Sequence, residues 1–347
     1  MASSRTPRTT DRPSCPICRS ERSAEAFTQP DRLFGVPGSY RYRRCAECGS
    51  TFQSPRVVDE DLPLLYPGGY YTHEAGAPPV APPPPPRSGS ALRDTIRTRV
   101  AAAVQPWRGR PGALGRALAA SRFLRERAFF DLVIDELIPR TPEPGRALDV
   151  GCGSGVLLAN LARTGWAAEG LEWDPAAAAV AAARTGLPVS SGTVHDLAGA
   201  SRFDLIVLSH VFEHLAEPLL DLRRMGELLT PTGRLVLIYP NPRALGARRF
   251  GPHWLGWDPP RHLVLPPVAA LDTAARNAGL VVRSTRTLAR SAAFNSATSR
   301  AIRAGRRPAL DTIPLERPDR RFLALERAAL RFDREAGEEI VAVLGRA

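Results

Sequence analysis

The stretch Ala147–Ala162, ALDVGCGSGVLLANLA, constrains this chain more than any other. A short apolar run ends at Asp149. Gly151, Gly153 and Gly155 then fall within five residues, and a helix-forming apolar run starts at Val156. Glycine lacks a Cβ and takes positive φ without strain, so the main chain at such a junction can touch a ligand directly. The competing reading is a tight turn and nothing more. Two further features weigh for a ligand. The amides that open the following helix favour a polar or anionic group. Glu172, in GLEWD, lies about twenty residues on, where an acid at a second strand's end takes ribose hydroxyls. The nicotinamide fingerprint G-x-G-x-x-G is not met, because Val156 stands where its third glycine belongs. Cys152 reads as a small turn residue rather than a nucleophile.

The texture around this junction is strand–helix alternation. Strands are expected at Arg146–Gly151, Ala167–Trp173, Pro188–Gly192, Phe203–His210, Arg234–Pro240 and Leu280–Leu288, with a late one at Glu339–Leu344. Helices are expected at Val156–Arg163, Pro175–Arg184, Glu217–Leu229 and Val268–Ala278. Asp174 before Pro175 is a good helix start. The pattern predicts an α/β fold: a doubly wound, mostly parallel, Rossmann-like sheet of seven strands, with ligands at the carboxyl ends. Residues 141–347 would form this domain, with a helical insertion or lid at 291–337. Ahead of it, 91–140 is helical in pattern, with Phe123, Leu124, Ala128, Phe129, Leu132, Val133 and Leu137 forming an apolar stripe. Residues 76–90 contain APPVAPPPPPRSGS, a semi-rigid polyproline spacer. Residues 12–75 hold a small cysteine-bearing module.

The net charge of +12 raises the question of an anionic partner. Between Arg146 and Leu280 twelve arginines balance twelve acids, so the expected catalytic stretch is neutral. The excess lies in Ala91–Arg127, with nine arginines and two acids, and in Val281–Arg331, with twelve and four. Solvated helix faces account for it; peripheral contact with a membrane or an anionic substrate is the next reading, ahead of nucleic acid. There is no apolar run of eighteen residues for a membrane span, and MASSRTPRTTDRPSCP has no apolar core of a secretory signal. A cytoplasmic location is therefore expected. Nothing in the sequence sets an oligomeric state.

Asp149–Gly155 fits the pattern acid–x–G–x–G–x–G, and the region from about Phe123 to Leu288 resembles a class I S-adenosylmethionine-dependent methyltransferase. FDLIVLSHVFEHLAEPLLDL, GRLVLIYPNP and WDPPRHLVLPPVAALDTAARNAGL narrow the resemblance to a small-molecule type with an H-V-x-E-H-L motif. The resemblance implies that Asp149, Gly151, Gly153 and Gly155 hold the methionine end of the cofactor. Glu172 would take the ribose, Trp173 would lie beside the adenine, and Thr193 and Val194 in SGTVHDL would meet the base. His210, at the end of the fourth strand, could accept a proton near neutral pH. His214 lies four residues on, on the same face if the segment is helical. Glu213 and His214 could equally brace the loop. H-x-x-E-H lacks a third ligand and is a weak metal motif. Arg261, His262, His253, Trp254 and Trp257 are second-tier candidates for an acceptor pocket, although tryptophans by themselves are more often packing residues.

Cys15 and Cys18 in CPIC are separated by 26 residues from Cys45 and Cys48 in CAEC. Two such pairs complete a tetrahedral Zn²⁺ site, and with no open position the ion would be structural. A disulfide pair is the weaker alternative in a cytosolic chain. In similar zinc-bearing methyltransferases a tyrosine-rich stretch leads towards the catalytic domain. Tyr70, Tyr71 and His73 in YPGGYYTH could thus close over the acceptor or simply pack between domains.

The leading expectation is methyl transfer to a small molecule, such as a sugar, glycan precursor or secondary metabolite. The order of parts is similar to nucleotide-sugar C-methyltransferases, which continue into a further C-terminal domain that this length leaves no room for. An RNA methyltransferase with a zinc-ribbon module is the alternative enzyme. LSHV after strand four speaks against it, since amino-group methylases of nucleic acids show N/D-P-P-Y/F there. A non-catalytic zinc-ribbon assembly factor is the alternative of another class.

Overall fold

Most of the strands and helices expected after Arg146 are present, and the departures lie mainly at their ends. The computed structural model describes residues 5–66, 112–120, 144–200, 202–310 and 312–347. The spacer at 76–90, Tyr70, Tyr71, His73 and the stripe from Phe123 to Leu137 lie outside the described residues. The chain divides into two compact units. One comprises Met1–Thr72, Val194–Ser201 and Val207–Ala347; the other comprises His73–Thr193 and Arg202–Ile206.

In the first unit, β1 (Thr9–Thr10) pairs antiparallel with β5 (Arg56–Val57). Strands β2 (Ser23–Gln29), β3 (Tyr40–Cys45) and β4 (Thr51–Gln53) form an antiparallel meander. Val36, Tyr40, Tyr42, Val57 and Leu65 are its buried core, with Phe27, Leu62 and Tyr66 packed against them. Phe27 stacks on Tyr42 at 4.9 Å, which adds to the area the small core buries.

In the second unit, helix α1 (Ala113–Ala120) is the described part of the 91–140 stretch. Strand β6 (Arg146–Val150), helix α2 (Val156–Arg163), β7 (Ala167–Glu172), α3 (Pro175–Thr185) and β8 (Val189–Ser191) follow. β6, β7 and β8 pair in parallel. Helix α3 begins as its sequence demands: the Asp174 side chain accepts from the Ala176 amide at 2.9 Å, and Gly186 closes the helix at φ 67°.

The remaining elements are β9 (Phe203–Ser209), α4 (Pro218–Leu228), β10 (Leu229–Pro240), α5 (Leu245–Phe250), β11 (Val264–Leu265), α6 (Leu271–Asn277), β12 (Leu280–Leu288), α7 (Ala292–Arg303), α8 (Arg317–Ala329) and β13 (Glu339–Arg346). The seven-stranded sheet has the order β12-β13-β10-β9-β6-β7-β8. β13 runs antiparallel to both β10 and β12, so the sheet is mixed and Rossmann-like. Leu235 to Tyr239 are all fully buried, the continuous apolar run of a strand covered on both faces.

Two details differ from expectation. β10 starts at Leu229, five residues before Arg234, because the fully buried Leu229 already lies in the strand. Across 291–337 the helices are present, yet α7 buries nine of its twelve residues and is a core helix of its unit rather than an open lid. β11 pairs with β4, giving a four-stranded sheet of order β11-β4-β3-β2. The N-terminal sheet is therefore completed by a strand more than two hundred residues downstream, in the same unit.

Candidate functional site

The glycine turn of the second unit is built as its composition requires. Gly151, Gly153 and Gly155 have φ of 65°, 51° and 80°, a region that other residues enter only with strain. A Cβ on Gly155 would meet Thr185 Cγ2 at 2.6 Å. The Gly151 and Cys152 amides donate to the Leu171 carbonyl at 2.7 and 3.2 Å, tying the turn to the end of β7. Glu172, 3% exposed, faces this turn: its Oε2 accepts from the Gly153 amide at 2.8 Å. Asp149, 1% exposed, leaves Oδ2 with no hydrogen-bond partner. Burial, reinforced by the Glu172 charge, pushes the Asp149 carboxyl up to about 8. A buried acid with an idle oxygen beside open main chain suits a cationic amino group. Trp173 and Thr193 are exposed. Val194, in the other unit, is buried.

In the first unit the H-V-x-E-H-L segment is not a continuous helix. His210 follows β9 at φ 58°, and only Phe212–His214 makes a 3₁₀ turn, so His210 and His214 do not share a helical face. His210 Nδ1 lies 3.4 Å from Glu213 Oε1 and its Nε2 lies 3.2 Å from Glu339 Oε1. Burial opposes a charge on His210, but these two carboxylates overcome it and push the imidazole up to about 10. Glu339, on β13, is also held by Arg290 at 3.2 Å. Burial, with His262, pushes His214 down to about 4. Of the two imidazoles, then, the first is charged at neutral pH and the second neutral. The two acids that flank His210 favour its charged form, which weighs against its accepting a proton.

His214 Nδ1 lies 3.0 Å from the Tyr66 hydroxyl and 3.1 Å from the Arg261 carbonyl oxygen. The Leu263 amide donates to the Glu213 carbonyl at 2.7 Å, which fastens the PPRHL segment to the loop. Arg261 is 1% exposed, and its guanidinium is a brace: it donates to both Asp31 oxygens at 3.0 and 2.9 Å and to both Asp258 oxygens at 2.9 and 2.5 Å. Trp254 donates to Glu338 at 2.7 Å and packs edge-on against Trp257, whose indole donates to Gly251. Arg261, Trp254 and Trp257 are thus committed to internal partners and are given no acceptor contact. Tyr66, Asp31 and Glu339 are members of this neighbourhood that sequence reasoning missed. Neither motif nor spacing marks them, since each arrives from a distant part of the chain.

The four cysteines converge. Cys15 and Cys48 sulfurs are 3.6 Å apart, Cys18 and Cys45 are 3.5 Å apart, and all four lie within 4.8 Å of one another. A disulfide is about 2.05 Å long, whereas the edge of a tetrahedron with 2.3 Å metal–sulfur bonds is about 3.8 Å. The two turns repeat one design. The Cys15 amide donates to Ser20 and accepts Arg19 in return at its carbonyl; Cys45, Ser50 and Gly49 do the same. Arg19 and Gly49 take positive φ at matching positions, 63° and 72°.

A glycine turn of left-handed residues, an acid with an idle oxygen and a second acid bonded back to the turn thus lie together at the ends of β6 and β7. Residues 121–285 match the family model described as a methyltransferase domain. A ubiquinone biosynthesis O-methyltransferase of Caulobacter sp. (strain K31) is 36% identical over 149 residues, 40% of this chain and 59% of that protein. One of Cereibacter sphaeroides (strain ATCC 17025 / ATH 2.4.3) is 36% identical over 118 residues, 32% and 48% of the two chains. The chain spans about half the length of the curated relatives it matches. Among solved structures, an S-adenosylmethionine dependent methyltransferase from Mesorhizobium loti is similar with a TM-score of 0.42 and 17% identity, over 68% of this chain and 98% of that one. Among the described residues no helix is long and apolar enough to cross a membrane.

Proposed function

We propose that the protein transfers a methyl group from S-adenosylmethionine to a small-molecule acceptor. The observation that carries this reading is Asp149: a buried carboxylate with an idle oxygen at the end of β6, beside three left-handed glycines. Asp149 would take the cationic amino group of the cofactor, and Gly151, Gly153 and Gly155 would give its amino-acid tail room against the main chain. Glu172 would exchange its bond from the Gly153 amide for the ribose hydroxyls. Trp173 and Thr193 would flank the base. When bound, the cofactor supplies a methyl group on a sulfonium, so the chain's own task is alignment and handling of the acceptor's proton.

His210, Glu213 and His214 follow directly on β9, and open α/β sheets bind ligands at the carboxyl ends of their strands. His210, with its side chain 41% exposed, is the most exposed member of this group, and we place the acceptor against it. The curated relatives are O-methyltransferases, and we take a hydroxyl as the acceptor group, on a sugar, a glycan precursor or a secondary metabolite. Cys15, Cys18, Cys45 and Cys48 would hold Zn²⁺ in a structural role, fixing two turns that the small core cannot hold unaided.

Calorimetric titration with S-adenosylhomocysteine tests the reading. The wild-type chain should bind it, while Asp149→Ala and Glu172→Ala should lose binding with unchanged circular dichroism. No binding by the wild type, or normal binding by both variants, would overturn the assignment.

A further inference from the structure

Beyond the four cysteines, a second group of metal-ligating side chains comes together in the first unit. One ligand atom from each of Glu213, His214 and His262 lies within 4.8 Å of the others. H-x-x-E-H alone lacks a third ligand; the fold brings one from the PPRHL segment. We propose that Glu213, His214 and His262 form a binding site for a divalent transition ion, Zn²⁺ or Fe²⁺.

The His262 Nδ1 lies 2.8 Å from the Gly256 carbonyl oxygen, and the His214 Nδ1 lies 3.1 Å from that of Arg261. A carbonyl oxygen only accepts, so in the neutral form of each ring Nδ1 carries the hydrogen and the lone pair falls on Nε2. Ring nitrogens held by a backbone carbonyl in this way are the usual support of metal-binding histidines. Glu213 is fully buried, and neither carboxylate oxygen has a hydrogen-bond partner. His262 Nε2 stands 3.9 Å from Glu213 Oε1, too far for a hydrogen bond and suited to two ligands sharing an ion. The His214 and His262 rings meet edge to face at 4.8 Å, which keeps them from stacking on each other.

Two imidazole Nε2 atoms and a buried carboxylate without a hydrogen-bond partner therefore converge, a donor set that attracts a cation. His210 Nδ1 lies 3.4 Å from Oε1 on the other side. Two imidazoles and one carboxylate suit Zn²⁺ or Fe²⁺ and leave coordination positions open. An acceptor hydroxyl in an open position would lose its proton more readily. That last role rests on the methyl-transfer reading; the presence of the ion does not.

Cobalt titration of the metal-stripped full chain separates the two sites. Thiolate ligation gives intense near-ultraviolet charge-transfer bands, whereas a nitrogen–oxygen site shows only weak visible bands. One Co²⁺ equivalent should carry no thiolate band, and it should disappear in His262→Gln and in His214→Gln. Tyr66→Phe removes a neighbour of His214 Nδ1 and should weaken that equivalent about tenfold, as outer-shell changes do. Mass-spectrometric metal counting on the isolated chain should fall by one ion in each histidine variant. A wild-type chain that binds cobalt only with thiolate bands overturns the proposal, and so does an unchanged nitrogen–oxygen equivalent in a folded His262→Gln chain. Because the readout is metal content, its failure leaves cofactor binding at Asp149 separately measurable.

Discussion

Cofactor affinity should depend on pH through Asp149. In the free protein burial and Glu172 hold this carboxyl up at about 8, so it carries a proton at pH 6 and 7. A cationic amino group beside the idle Oδ2 favours the ionised form, and binding below pH 8 must expel that proton. Each unit below 8 then costs about 1.4 kcal/mol, a factor of about ten. Between pH 8 and pH 6 the affinity for S-adenosylhomocysteine should fall up to about a hundredfold. The sign is definite: affinity rises with pH and levels near 8. Calorimetry at pH 6, 7 and 8, in buffers of different ionisation enthalpy, counts the proton directly; close to one should leave at pH 6. Asp149→Asn should bind weakly, with the pH slope gone. A wild-type affinity that is flat from pH 6 to 8, with no proton released, would refute the placement of the amino group at Asp149.

Three further outcomes are expected. Arg261→Ala leaves Asp31 and Asp258 buried without their cation, a loss of about 3–5 kcal/mol; an unchanged melting temperature would contradict the brace. Glu326, fully buried and pushed up to about 9 by burial and by Glu338, keeps its proton when folded but not when unfolded above the ordinary carboxylate range. Stability should thus fall as pH rises towards 9, by up to about 1.4 kcal/mol per unit. Glu326→Gln should flatten that slope in melting curves, and an identical slope would rule it out. If Cys15, Cys18, Cys45 and Cys48 hold zinc as proposed, chelation should remove hydrogen-exchange protection from the Arg19 and Gly49 amides; a zinc-free wild-type chain with those amides already protected would show that no ion is needed.

Local pattern made the glycine turn and its two acids legible. An acid, three glycines and a following helix occupy consecutive residues, and the second acid is one strand–helix–strand unit away. Short-range sterics fix such a segment wherever it occurs. The cysteine pairs were readable for the same reason, since each turn closes within six residues. The surroundings of His210 and Arg261 were not legible, because distant residues supply them. His210 looked like a free base because Glu339, which flanks it, lies on the last strand. Arg261 looked like a pocket residue because Asp31 is 230 positions away.

The sequence by itself determined the strand–helix alternation, the glycine turn with its two acids and the pairing of the cysteines. Those follow from periodicity and from chain geometry over a few residues. Only the tertiary structure decided that β11 completes the N-terminal sheet, that Arg261 is locked between two aspartates, and that His262 joins Glu213 and His214. The physical reason is that charge and lone-pair chemistry act across space, so an imidazole's role is set by whichever groups the fold brings within a few ångströms of it.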